Sequence, residues 1–182
     1  MPLSAVLFMD LQRDFLAPDG ARMPVDVPGA TAVVQAANAL LSKRAFPEAL
    51  PILVLNQFPA SARIGNFFRN QAAIADSWGA QLDERLQLQG SEKRFAKDRA
   101  SAFSNPDLHQ YLSAEGIRHL YVVGVYAEGC VRATVLHALQ LGYSVDVVAD
   151  AVATNAAWKK RFALWSMQRA GATILPDIRA SL

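Results

Sequence analysis

With a single cysteine in 182 residues, the chain cannot close an intramolecular disulfide. No apolar stretch is long enough to span a bilayer. The opening run Met1–Met9 is apolar but short, lacks a basic start and passes straight into Asp10, so it reads as a core strand and not as a signal peptide. Nor does charge of one sign dominate. The formal net charge is +2 and the charges are scattered, which implies neither nucleic acid nor an anionic membrane as a partner. The densest basic stretch, Lys159-Lys160-Arg161 after Trp158, reads as a solvated helix face. Repeats, low-complexity stretches and Gly/Ser linkers are missing as well. What is there is 52% hydrophobic and 19% charged residues, enough for one continuous core. A single cytoplasmic domain over 1–182 is expected.

Short apolar runs alternate with longer helical patterns. Strands are expected at Ala5–Met9, Ile52–Asn56, Lys93–Ala96, His119–Val125, Ser144–Ala149 and Ala172–Leu175. Each is almost continuously apolar, as in parallel strands covered on both faces. Helices are expected at Gly29–Arg44, Asn105–Glu115, Gly129–Leu141 and Ala156–Arg169. Asn105-Pro106 offers an N-cap followed by proline, while Gly116, Gly142 and Gly171 are stop signals. The region Phe58–Leu88 is less regular and reads as a long excursion with a short helix. Strand, helix and glycine stop in repetition make a doubly wound α/β sheet. Ligands in such sheets bind beyond the carboxyl ends of the strands. The polar groups expected there are Asp10, Asn56 with Gln57, Lys97 with Asp98, the loop Tyr126–Gly129 with Cys130, and Asp150.

Several chemistries drop out. Gly124 to Gly129 has the spacing of a phosphate loop, but Cys130-Val131 stands where Lys-Ser/Thr belongs. The chain carries no GxGxxG fingerprint after a strand and no GxSxG elbow. The three histidines, His109, His119 and His137, are not spaced as metal ligands. His137 lies about 10 Å along the helix from Cys130 at 1.5 Å per residue, too far to take its proton.

Cys130 remains. It is expected in the first turn of a helix, where unpaired N–H groups and the dipole favour thiolate and could hold an oxyanion. A small buried hydrophobe is the plainer account of the same residue. Asp10 ends an apolar strand, where a charge is costly unless used. It could instead cap the segment that follows, and Lys97 could be a surface lysine. Together a carboxylate, an ammonium and a thiol at strand ends of one sheet are the parts of a histidine-free nucleophilic site.

At these positions the chain resembles the isochorismatase-like cysteine hydrolases. Val6-Leu-Phe-Met-Asp10-Leu-Gln12-Arg-Asp14-Phe15 is similar to that family's first strand, and Lys97-Asp-Arg-Ala-Ser101-Ala102-Phe103 to its lysine block. Gly124-Val125-Tyr126-Ala127-Glu128-Gly129-Cys130-Val131-Arg132-Ala133-Thr134 is similar to its nucleophile block, and Ala138, Gly142-Tyr143 and Asp150-Ala151 continue the pattern. The resemblance implies a three-layer αβα sandwich with a six-stranded, mainly parallel sheet of order 3-2-1-4-5-6. It implies Asp10, Lys97 and Cys130 as catalytic residues and a cis peptide at Val125–Tyr126. It also implies an oxyanion hole of the Tyr126 and Cys130 N–H groups. The expected reaction is hydrolysis of a C–N bond in a small amide, ureido or related substrate through a thioester, with no cofactor. A homodimer or homotetramer is expected.

The departures are informative. Nicotinamidases carry an Asp and several His after the second strand to hold a metal, whereas this chain reads Asn56-Gln57-Phe58-Pro59-Ala60. No metal is expected, and Ala127 stands where Thr is frequent. Gln12, Phe15, Phe58, Trp78 and Phe103 flank the motifs and are expected pocket residues. Phe67-Phe68 and Trp78 could close the pocket or meet another subunit. Two other functions fit the same residues. One is a vinyl-ether hydrolase in which Asp10 protonates the substrate and Cys130 is dispensable. The other is a non-catalytic binding or redox protein with a reactive thiol.

Overall fold

A computed structural model describes residues 3–42 and 46–177. Six parallel strands form one sheet in the order β3-β2-β1-β4-β5-β6. They are β1 (Ser4–Met9), β2 (Leu50–Asn56), β3 (Lys93–Lys97), β4 (His119–Val125), β5 (Ser144–Ala153) and β6 (Thr173–Leu175). Alternation along β1 explains the layers. Val6 and Phe8 join the core beneath α1 (Arg13–Leu16) and α2 (Val27–Leu41). Ala5, Leu7 and Met9 join the core beneath α4 (Pro106–Ala114), α5 (Arg132–Gln140) and α6 (Ala157–Arg169). Both faces of the sheet are thus covered, which is why its central strands read as unbroken apolar runs.

Several boundaries differ from those read in the sequence. Helix α2 begins earlier, because Asp26 accepts from the Gly29 N–H and Pro28 fits the first turn. Its expected end at Arg44 falls outside the described residues. Asn105 caps α4 by accepting from the Asp107 N–H, as expected. Strand β5 runs on to Ala153, so Asp150 lies within it and not after it. The largest correction concerns the nucleophile block. Ala127–Val131 forms a wide π-type turn in which Gly129 is non-helical (φ −99°, ψ −109°), and α5 proper starts only at Arg132. Cys130 therefore sits in the turn before the helix.

The excursion after β2 holds α3 (Arg63–Phe68) and a short 3-10 turn at Trp78–Ala80. Buried Asp14 anchors it by accepting from the Ala73 N–H at 2.8 Å. Gly79 packs so closely on that carboxylate that a Cβ would lie 1.8 Å from it. Among the described residues no helix is long and apolar enough to cross a membrane.

The strand order reverses between β1 and β4, so their carboxyl ends flank the crevice of the fold. Met9 pairs with Gly124 there. Gly124 has φ +119°, and a Cβ on it would meet the Met9 carbonyl oxygen at 2.1 Å. Only glycine lets the two strands approach so closely at the entrance to the Cys130 turn.

Candidate active site

Three adjacent strands end in polar groups that converge. Asp10 follows β1 with φ +55°, a left-handed conformation that Asp tolerates better than most residues. Its N–H still donates to the Val54 carbonyl at 2.9 Å, so the residue turns out of the strand without leaving the sheet. Asn56 and Lys97 are register partners at the ends of β2 and β3. The Lys97 ammonium donates to Asp10 Oδ2 at 3.0 Å, to Asn56 Oδ1 at 2.6 Å and to Cys130 Sγ at 3.2 Å. An ammonium has three N–H bonds, and all three are used. The Lys97 and Asp10 side chains are 0% and 1% exposed, so the pair is shut off from solvent screening. Asp10 Oδ1 is buried and has no hydrogen-bond partner among the described residues.

The electrostatics follow from burial. Burial lifts the Asp10 carboxyl above its ordinary range, and Lys97, the Cys130 thiol and the Asn56 backbone offset this only in part. Burial alone would lower Lys97, but Asp10 and Cys130 outweigh it and hold the ammonium above its usual value. The Cys130 thiol is pushed up to about 12 by burial and by the Asp10 charge, against the opposing pull of Lys97. The Cys130 thiol and the Lys97 ammonium are therefore both held in their protonated forms. The expected helix-end activation of the thiolate is corrected: Cys130 precedes α5, and burial together with Asp10 prevails.

Of the three groups chosen from the sequence, Asp10 and Cys130 thus both lie within hydrogen-bonding distance of the third, the Lys97 ammonium. Their surroundings bear on the plainer accounts, and Cys130 does pack against the core under α5. Lys97 is buried, Asp10 caps no helix, and Cys130 Sγ faces polar groups. The Val125–Tyr126 peptide is cis. The histidines are engaged elsewhere. His137 Nδ1 contacts Ser101 Oγ at 3.1 Å, His109 Nδ1 contacts the Tyr143 hydroxyl at 2.9 Å, and His119 pairs with Asp146 at 3.2 Å.

The expected pocket residues separate. Gln12 is wholly buried, and its amide bonds the N–H and C=O of Asn56 and the carbonyl of Ala80, leaving it no surface for a ligand. Phe103 packs among His109, His137 and Tyr143 in the core under α4 and α5. Trp78 lies under the Arg13 guanidinium and lines a separate cavity of about 230 Å³ with Asp19, Asp83 and Arg85. That cavity includes none of Asp10, Lys97 and Cys130. Phe15 meets the Tyr126 ring edge to face at 5.9 Å, and the Tyr126 hydroxyl donates to the Met23 carbonyl. Phe58, just past Asn56, is covered by the Arg69 guanidinium at 3.7 Å. Asn56 is the residue whose part sequence reasoning missed. Its place at a strand end beside Lys97 was legible; its contact with sulfur was not.

The doubly wound αβα sandwich thus sets a buried carboxylate and ammonium beside a partly buried thiol at the strand-order reversal. The isochorismatase domain profile matches residues 4–176, and the chain belongs to the isochorismatase family of hydrolases. It is 32% identical to the uncharacterized isochorismatase family protein YddQ of Bacillus subtilis over 152 residues, 84% of this chain and 78% of that one. It is 31% identical to the nicotinamidase of Escherichia coli over 82% of this chain and 83% of that one. The crystal structure of pyrazinamidase of Pyrococcus horikoshii in complex with zinc superposes with a TM-score of 0.84. Identity there is 27%, over 96% of this chain and 99% of that one.

Proposed function

We propose that this single domain is a cysteine hydrolase cleaving the C–N bond of a small amide, ureido or related substrate. The observation that carries this reading is the Lys97 ammonium, donating at once to buried Asp10 and to the Cys130 sulfur. Asp10 takes the Cys130 proton as the thiol attacks the substrate carbonyl. A thiol with a raised pKa is a weak acid but yields a more nucleophilic sulfur, and a carboxyl with a raised pKa is a better proton acceptor. The two shifts therefore suit each other. Lys97 holds both partners while the charge passes between them. The N–H groups of Tyr126 and Cys130 hold the oxyanion. Protonated Asp10 delivers its proton to the departing nitrogen. Water, deprotonated by the same carboxylate, then attacks the thioester, and the product acid leaves with Cys130 restored as thiol.

The zinc-bearing relative raises the question of a metal. Among the described residues no three His, Cys, Asp or Glu side chains gather to hold one. The segment after β2 offers Asn56, Gln57 and Phe58, with the Arg69 cation lying on the Phe58 ring. These residues do not fit a metal ion. A homodimer or homotetramer goes with this reading, supported by the exposed stripe Trp158, Phe162 and Trp165 on α6. The lone cysteine of the mechanism needs reducing conditions, which a cytoplasmic location supplies.

Replacing the thiol is the direct test. Cys130→Ala should leave the far-UV spectrum and Tm within error and abolish hydrolysis across a panel of small amides and ureido compounds. Full activity of Cys130→Ala on an amide that the wild type cleaves would overturn the cysteine mechanism, and cleavage of a vinyl ether by both proteins with no amide cleaved by either would favour an Asp10-driven hydrolase.

A further inference from the structure

Asn56 is 3% exposed, and each polar atom of its side chain has a partner. Oδ1 accepts from Lys97 Nζ at 2.6 Å, and Nδ2 points at Cys130 Sγ from 3.8 Å. This orientation has a physical cause. An ammonium can only donate, so the amide must turn its oxygen to Lys97 and thereby its NH₂ to the sulfur. The backbone has no freedom to undo this. Gln12 holds the Asn56 N–H and C=O at 2.8 Å each, and β3 fixes Asn56 opposite Lys97. A neutral thiol gains little from a donor at that distance, but a thiolate gains a charge-assisted hydrogen bond.

We infer that Asn56 is a catalytic residue of this site, a neutral donor that stabilises the Cys130 thiolate as it forms while its oxygen holds Lys97. The inference rests on the reading of Cys130 as nucleophile. It explains why an amide and not a carboxylate suits this strand end. A carboxylate would serve Lys97 equally well, but it would set a second negative charge beside the sulfur.

Two substitutions separate the donor from the holder. Asn56→Asp is isosteric and keeps the acceptor for Lys97, but it loses the donor and adds charge. Asn56→Ala loses both contacts. The readouts are the pH profile of Cys130 alkylation by iodoacetamide and kcat and KM on an amide the wild type hydrolyses. With the donor role, both variants shift the alkylation midpoint upward, Asn56→Asp further than Asn56→Ala. In both, kcat falls roughly 10- to 100-fold with KM little changed, as for loss of a hydrogen bond to a charged group. Should Asn56→Ala fail to fold, the near-isosteric and neutral Asn56→Leu takes its place, since the charge added by Asn56→Asp raises the midpoint by itself. A wild-type profile and kcat in Asn56→Asp would overturn the donor role and leave Asn56 as a holder of Lys97. That result would leave Cys130 as nucleophile untouched, since it is activity in Cys130→Ala that speaks against that role.

Discussion

Asp10→Asn should move two properties in opposite directions: hydrolysis falls while the thiol becomes easier to alkylate. Asn is the right replacement because it is isosteric and tolerates the left-handed φ of +55° at this position. Its oxygen can still accept from Lys97, so the fold keeps its local hydrogen bonds. What is lost is the proton acceptor. General acid–base catalysis is worth roughly 10²–10⁴-fold, and kcat should drop by about that factor. The thiol gains at the same time. After burial, the Asp10 charge is the largest influence holding it near 12, so removing that charge lowers it and raises the thiolate fraction at neutral pH. Iodoacetamide should therefore react faster with the variant than with the wild type at pH 7. A structural role for Asp10 predicts otherwise: an unchanged kcat, or a parallel fall in both properties with a lower Tm.

Lys97→Met should lose both properties and stability as well. The Lys97 side chain is fully buried beside a carboxylate that is 1% exposed. Removing one member of a buried ion pair typically costs about 3–5 kcal/mol, because the other charge is left without compensation. The cost depends on pH in a direction the site dictates. At neutral pH an ionised Asp10 is stranded, or it must take up a proton, and either is unfavourable. As pH falls and Asp10 protonates, the stranded charge disappears, so the stability gap between wild type and variant should narrow on acidification. Denaturant titrations at pH 5 and pH 8 measure this. Activity falls because a protonated Asp10 is no base and because Lys97 is the cation that lowers the Cys130 thiol. Alkylation at neutral pH should be slower than in the wild type, the reverse of Asp10→Asn. A variant equally stable at both pH values and alkylated at the wild-type rate would show that the three groups are not coupled.

The residues that carry these predictions were legible in the sequence because each violates a local rule. Asp10 is a charge ending a five-residue apolar run, and Lys97 is a cation ending an edge strand beside the buried strand β2. Cys130 stands where a phosphate loop would have its lysine. The doubly wound class followed from apolar runs alternating with capped helices, whereas the strand order was what the family resemblance implied. Less legible were features set by long-range contact. The wide turn at Ala127–Val131 carries helical residue types, and only Gly129 marks its departure from helical dihedrals. Gln12 and Phe103 sit in motif blocks next to the site, yet both are buried by backbone and aromatic contacts that adjacency in sequence cannot show. Trp78 is drawn off by Arg13, which lies 65 positions before it. The balance that keeps Cys130 protonated depends on burial and on the distance to Asp10, neither of which is a property of the residue types.

The central claim is an acyl group carried on sulfur, and mass spectrometry of the protein quenched in acid during turnover tests it most directly. The one cysteine leaves a single address for the adduct. During hydrolysis of a cleavable amide, a fraction of the protein should gain the mass of the acyl portion. The added mass should map to the peptide containing Cys130 and be removed by hydroxylamine as the hydroxamate. Turnover that continues with only unmodified protein at every time point, and with no hydroxamate formed when hydroxylamine is present, would contradict the account.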